Sequence, residues 1–424
     1  MTTAPVGASG DANDSATPRG SAGRVAVVQR QARVTLGLAG GFAVTATVAL
    51  VVPHRTGDWL SLHLFLAGAL LLAISAATQL FAVTWAAGAP PSDRVAAVQR
   101  WHLGAGVALL ATARELQWPS ELVATGDALV IAALVVLGVS LQRTVSGSVQ
   151  RRFDVALRSD LAALAAGLGG CALGIAMATG LDAPMYGRVR AAHLTLNLLG
   201  LVGLVGLVIA GTLPFSTATQ ARVKMSSRAS GRAQSLVLAW LVGALVATTV
   251  GFLAARPAVA AVGLSAYAMG VLGVIALLPA IRAKQLQWAG PRLVQLGAGV
   301  AWWVGATVTV AWQAGHASAT FTPTVVGVLV VGGYAQILAA AVAYLGPVLR
   351  AGGHRQLTAG FRTTRSWLGL GAANVAATAL VFGAPEVAGT AIFVWVIDTA
   401  ARAALLVRGA GWTRALQRVT DEPR

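Results

Sequence analysis

Runs of about twenty residues with at most one or two charges recur along nearly the whole of this 424-residue sequence. Each is long enough to cross a hydrocarbon layer of about 30 Å as an α-helix rising about 1.5 Å per residue. Twelve such spans are predicted, at approximately 34–53, 59–85, 97–113, 120–141, 159–180, 191–214, 235–254, 258–280, 293–313, 322–348, 366–383 and 387–407. Arg114 and Glu115 shorten the third, and Asp127 interrupts the fourth. Only 11% of residues are charged, where soluble chains average about a quarter, so the chain has too few ionisable groups to clothe a water-soluble domain. The expected class is an all-α, polytopic membrane protein of about twelve transmembrane helices.

The formal charge of +17 would suggest nucleic acid in a soluble protein. Here the 29 arginines and 2 lysines lie in short clusters between apolar runs. They carry topology rather than a phosphate-binding face, and nucleic acid is excluded as a partner. With the N-terminus inside, 25 of the 31 fall on cytoplasmic segments, five fall outside (Arg55, Arg114, Arg188, Arg190 and Arg256), and Arg402 lies within the last span. A wrong span count would scramble that alternation. The sequence therefore predicts a cell-membrane protein with both termini cytoplasmic and the lipid bilayer as its surroundings.

Residues 1–23 are rich in Ser, Thr, Ala, Gly and Asp without apolar periodicity, and 1–32 reads as a disordered cytoplasmic tail. The transmembrane domain is expected over 33–408, followed by a cytoplasmic tail at 409–424. The first apolar run exceeds a signal-peptide core and reads as a retained helix. Cys171 is the single cysteine; it lies in an apolar run and reads as a packing residue, with no disulfide framework.

A second regularity divides the chain. Spans one, five and nine begin at Arg33, Arg158 and Arg292. Spans three, seven and eleven carry Trp101, Trp240 and Trp367 at or near their starts. Spans four, eight and twelve run from Gly126 to Arg143, Gly263 to Arg282 and Gly389 to Arg408. Three landmark types in one order predict a four-helix unit used three times, over about 33–143, 158–282 and 292–408, a pseudo-threefold 4+4+4 arrangement.

Twelve helices in three fours, with histidines at the outer starts of the second and sixth spans, resemble subunit I of the haem–copper oxidases and the related NnrS-type membrane proteins. In that superfamily the second, sixth and tenth helices line the pores and carry metal ligands near the outer side. Here HLFLAGALLLAIS starts at His63 and HLTLNLLGLVGLVGLV at His193, 130 residues apart and close to one repeat. The tenth span, VVGVLVVGGYAQILAAAVAYLGPVL, is similar in flavour to its oxidase-like counterparts but holds no histidine, and neither does the seventh, SLVLAWLVGALVATTVGFLA. The oxidase pattern needs ligands on both, and pairs its sixth-helix histidine with a tyrosine where Asn197 stands here. The resemblance therefore implies the fold and a residual haem or copper site at His63 and His193, without a complete oxygen reductase.

Two readings of His63 and His193 are open: neutral imidazoles ligating haem or copper, or interfacial side chains bonded to headgroups and neighbouring helices. Asn197, one turn from His193 on the same face, either orients the imidazole and lines a site or acts as helix-to-helix glue. Tyr334 and Gln336, near the middle of the tenth span, are cavity-lining candidates, with bonds to backbone carbonyls as the alternative. Asp398 and Arg402, four apart, are expected to pair within one helix. Asp127 has no obvious partner in sequence.

No Walker loop, Ser/His/Asp set, HExxH or Rossmann fingerprint appears, so nothing marks the chain as an enzyme in its own right. Redox or metal handling near the outer face is the leading expectation. A secondary transporter or channel for a small solute or ion is the alternative, and a subunit serving a partner chain or redox protein is the third.

Overall fold

The computed structural model describes residues 21–146, 154–207, 212–316, 320–350 and 354–420, and every element in it is helical. In chain order they are α1 (Ser21–Val51), α2 (58–86), α3 (Asp93–Glu115), α4 (Ser120–Ser146), α5 (Asp154–Ala178) and α6 (183–207). A short α7 (Thr212–Ala221) leads to α8 (Gly231–Leu253), α9 (Pro257–Ala276) and a second short helix, α10 (Ala283–Ala289). The rest are α11 (Pro291–His316), α12 (323–349), α13 (His354–Thr363), α14 (Trp367–Val381) and α15 (Pro385–Thr420).

Among the described residues, nine of these helices are long and apolar enough to cross a membrane: α1, α2, α4, α5, α8, α9, α11, α12 and α15. Their outward faces are apolar too. Leu236, Val262 and Val407 are 63%, 69% and 72% exposed, which water would penalise and lipid tails accept. The chain is thus a multi-pass integral membrane protein, embedded in lipid. The other three predicted spans lie on helices with specific departures. α3 carries Asp93, Arg94, Arg100, Arg114 and Glu115, α14 has only 15 residues, and α6 stops at the edge of the described residues.

The first helix begins at Ser21, well before the expected start near Val34, so residues 21–32 are helix rather than tail. Seven of its twelve residues are Ala, Arg or Gln, all good helix formers, and its inner face is anchored. Val28 and Ala32 are buried, Gln31 Nε2 donates to Pro91 O at 3.0 Å and Asp93 Oδ1 at 2.8 Å, and Arg30 pairs with Asp93 at 2.6 Å. At the other end α15 continues to Thr420, through most of the segment expected as a tail, because nothing in WTRALQRVT breaks a helix. The expected disorder of residues 1–20, and the last four residues, lie outside the described residues.

Helices α3 and α4, α8 and α9, and α14 and α15 pack as neighbouring pairs joined by short connections. Each first member starts on a serine whose hydroxyl accepts an orphan backbone N–H: Ser92 from Val95, Ser230 from Ala233, Ser366 from Gly369. Close approach in the first two pairs depends on glycine. A Cβ on Gly106 would lie 2.7 Å from Gly126 O, and one on Gly263 2.4 Å from the Thr248 hydroxyl. Further contacts run from α4 to α5, from α9 to α11 and from α15 back to α1.

The interior belongs to α2, α6 and α12. Each contains a π-helical stretch, Leu64–Leu70, Thr195–Leu207 and Val328–Ala335 respectively. The wider π winding is rare and misaligns carbonyls along one side of a helix. In α6, side chains from three other helices meet those carbonyls: Tyr334 at Leu198, Tyr267 at Leu199 and Ser159 at Leu204.

Candidate functional site

Helix α2 begins at Asp58, and His63 lies little more than one turn in. Its Nδ1 sits 2.8 Å from Trp59 O, and its ring stacks on Trp59 with centroids 3.9 Å apart. The Arg114 guanidinium lies 4.8 Å from the Trp59 ring centroid. These contacts fix the imidazole plane. On α6, Asp182 caps the helix by accepting the Met185 N–H, and His193 follows near the start of the π stretch. Its Nδ1 lies 2.8 Å from Gly170 O of α5.

A carbonyl oxygen can only accept, so Nδ1 donates in both rings and each neutral imidazole keeps a bare Nε2. His63 and His193 each lie just before a π stretch on an interior helix, although they are far apart in sequence. Asn197 Nδ2 donates to His193 O at 3.1 Å, and a Cβ on Gly170 would strike that amide at 2.4 Å. Asp127 joins the group across Gly174. A Cβ there would lie 3.3 Å from His193 Cε1 and 3.5 Å from Asp127 Oδ2. The missing side chain on α5 therefore lets α4 present a carboxyl beside an α6 imidazole. Asp127, His193 and Asn197 form one polar neighbourhood between α4, α5 and α6, and Cys171 on α5 is buried.

Two imidazoles with bare Nε2 atoms, each oriented through Nδ1–H, suit a haem iron or copper ion. They are too few for a tetrahedral zinc site. Among the described residues, no group of three or more His, Cys, Asp or Glu side chains is placed to hold a metal ion. Any metal here would rest on the imidazole pair.

Tyr334 and Gln336 stand apart from that pair and are enclosed by protein. The Trp303 indole donates to the Tyr334 hydroxyl, which donates to Leu198 O, the residue after Asn197. Gln336 Nε2 donates to Gly332 O at 3.0 Å, and its Oε1 accepts from Asn374, whose own Oδ1 accepts from the Trp302 indole at 2.8 Å. Both side chains therefore tie helices together. The Asp398–Arg402 pair forms at 2.9 Å within α15.

Outside the membrane, Glu115 secures the loop between α1 and α2. Its carboxylate accepts the Arg55 N–H at 2.6 Å and the Thr56 hydroxyl at 2.7 Å. The Thr56 hydroxyl and the Arg55 N–H hold the Glu115 carboxyl below its ordinary pKa. His54 places both ring nitrogens against carbonyls, those of Val52 and Gly57, which raise its pKa.

Sequence reasoning singled out both histidines and Asn197 as candidates but missed the place of Asp127 beside His193. The signal was Gly174, four residues beyond Gly170 on one face of α5, a bare strip wide enough for neighbours from two helices. No family model matches the chain, and no curated protein matches it.

Proposed function

We propose that the chain is a twelve-span membrane protein built as three four-helix units, similar to haem–copper oxidase subunit I and NnrS-type proteins. In this reading it holds haem iron or copper between His63 and His193 near the outer face, for electron transfer or metal handling. The observation that carries the reading is the imidazole pair. Two interior helices, with histidines 130 residues apart, present rings held through Nδ1, each keeping its Nε2 unprotonated.

The threefold division draws support from features that recur at matching points. The π stretches begin at Leu64, Thr195 and Val328, and the serine caps stand at Ser92, Ser230 and Ser366. The contact of α15 with α1 is what a closed ring of three units needs. With no histidine on α8 or α12, the site is a partial one and reduces no oxygen by the oxidase route. The cell membrane with both termini cytoplasmic follows from the charge alternation.

The test is the absorption spectrum and metal content of detergent-purified protein from haem- and copper-replete cells. A Soret band or stoichiometric copper is expected, lost in His63→Ala and in His193→Ala while both variants still elute as folded monodisperse protein. Wild-type protein with neither signal would overturn the cofactor reading.

A further inference from the structure

At the end of the bundle that carries the basic clusters, three arginines from separate segments converge around one tryptophan. Arg292, the second residue of α11, is 2% exposed, yet its Nε, Nη1 and Nη2 all lack a hydrogen-bond partner. Its guanidinium lies among aromatic rings, 4.4 Å from the centroid of Phe361, 5.2 Å from Trp288 and 5.7 Å from Tyr344. The Arg222 guanidinium lies 3.8 Å from the same Trp288 ring. Arg365 donates through Nη2 to the Trp288 carbonyl, and its Nε is buried without a partner. Among the described residues, no Asp or Glu is paired with any of the three.

Aromatic faces do not balance this arrangement. A cation–π contact offsets only a fraction of what burying an unpaired guanidinium costs. Arginine cannot shed its proton to escape the penalty. Two further guanidinium groups nearby add repulsion, and the first turn of α11 adds the positive end of a helix dipole. Orienting the chain in the membrane does not require burial either, because an exposed arginine serves that purpose equally well. What the cluster lacks is an acceptor with several negatively charged oxygens.

We propose that Arg222, Arg292 and Arg365 form a binding site for a phosphate-type oxyanion, with Trp288, Tyr344 and Phe361 as its walls. Planar guanidinium forks match the oxygens of such an anion, and Arg292 has every donor free. Arg222 is exposed and Arg365 half-buried, so the site opens at the membrane surface. A phospholipid headgroup and a soluble phosphate present the same chemistry there.

The experiment measures the melting temperature of the delipidated full-length protein in neutral detergent. One arm compares inorganic phosphate with chloride at matched ionic strength. The other compares mixed micelles of phosphatidylglycerol with micelles of diacylglycerol, which lacks the phosphate. A rise of at least about 2 °C is expected in one arm or both. Phosphate alone would identify a soluble ligand, and phosphatidylglycerol alone a headgroup. Arg292→Met should abolish the rise while melting no lower than wild type without the probes, since it removes an unpaired charge. Arg222→Gln, at the exposed mouth, should require at least about tenfold more probe. No rise in either arm, or rises in Arg222→Gln and Arg365→Gln equal to wild type, would overturn the proposal.

Discussion

The indole of Trp303 donates to the hydroxyl of Tyr334 at 2.8 Å, and that hydroxyl donates in turn to the carbonyl of Leu198 at 2.7 Å. Three helices, α11, α12 and α6, are thereby joined through one oxygen. All of it is buried, so no water stands ready to replace a lost partner. Tyr334→Phe would strand both the indole N–H and the π-stretch carbonyl. A loss of about 1–3 kcal/mol is expected, read as a lower melting temperature in detergent. An unchanged melting temperature would mean the π stretch satisfies Leu198 by itself.

The loop between α1 and α2 should be most firmly held in a mildly acidic window. His54 has a raised pKa, so its contribution is complete below 6.5 and is lost as pH climbs through the folded value. Glu115 has a lowered pKa, so its contribution is present above 4.5 and is lost as pH falls through the folded value. Between 4.5 and 6.5 both act together. Amide exchange at Arg55 and Thr56, corrected for intrinsic rates, should be slowest there. A protection profile flat across that window and beyond it on both sides would contradict the assignment.

Asp398 and Arg402 neutralise each other within α15, and Arg402 Nη1 also donates to Thr363 O at 3.0 Å. Arg402→Met would leave a carboxylate among apolar surroundings and should lower stability or insertion by about 2–3 kcal/mol. Adding Asp398→Asn should recover most of that loss, because no lone charge remains. Membrane-inserted yield and melting temperature measure both effects. A double variant no better than the single one would show that the ion pair is incidental.

Two glycines of α5 hold the polar neighbourhood open. Gly170→Ala would drive a methyl group into the Asn197 amide and disturb the carbonyl that orients His193. It should cost about 1–3 kcal/mol, read by thermal melting. Gly174→Leu would push a side chain between His193 and Asp127. It should displace or abolish the absorption band expected of a cofactor on His193. An unaltered band in Gly174→Leu would place that cofactor elsewhere.

The long helices were legible because twenty apolar residues in a row have few other uses, and the Asp398–Arg402 pair because a spacing of four places both on one face. Other features leave no such trace. A π stretch such as TLNLLGLVGLVGL has the composition of any membrane helix, and only its hydrogen bonds distinguish it. Asp127 had no partner in sequence because its neighbour is reached across an absent side chain on a third helix. Arg292 reads as a topology marker like the arginines beside it, and only its burial among three rings sets it apart. The start of α1 was misplaced because residues 21–32 lack the apolar run that marks a span, while their anchoring to Pro91 and Asp93 is a long-range contact.

Each residue of an α-helix advances the direction of its side chains by about 100°. The π stretch of α2 therefore gives the helix two phases, one for the end that carries His63 and another for the stretch from Leu71 to Ala86. Removing one residue from within it would restore ordinary winding without opening a loop, and would swing His63 by about a quarter-turn relative to the opposite end. The same holds for α12, whose π stretch lies between Gly327 and Gln336. The N-terminal ends of these two helices can thus be re-aimed by single-residue insertions and deletions while the packing of their C-terminal halves stays in place.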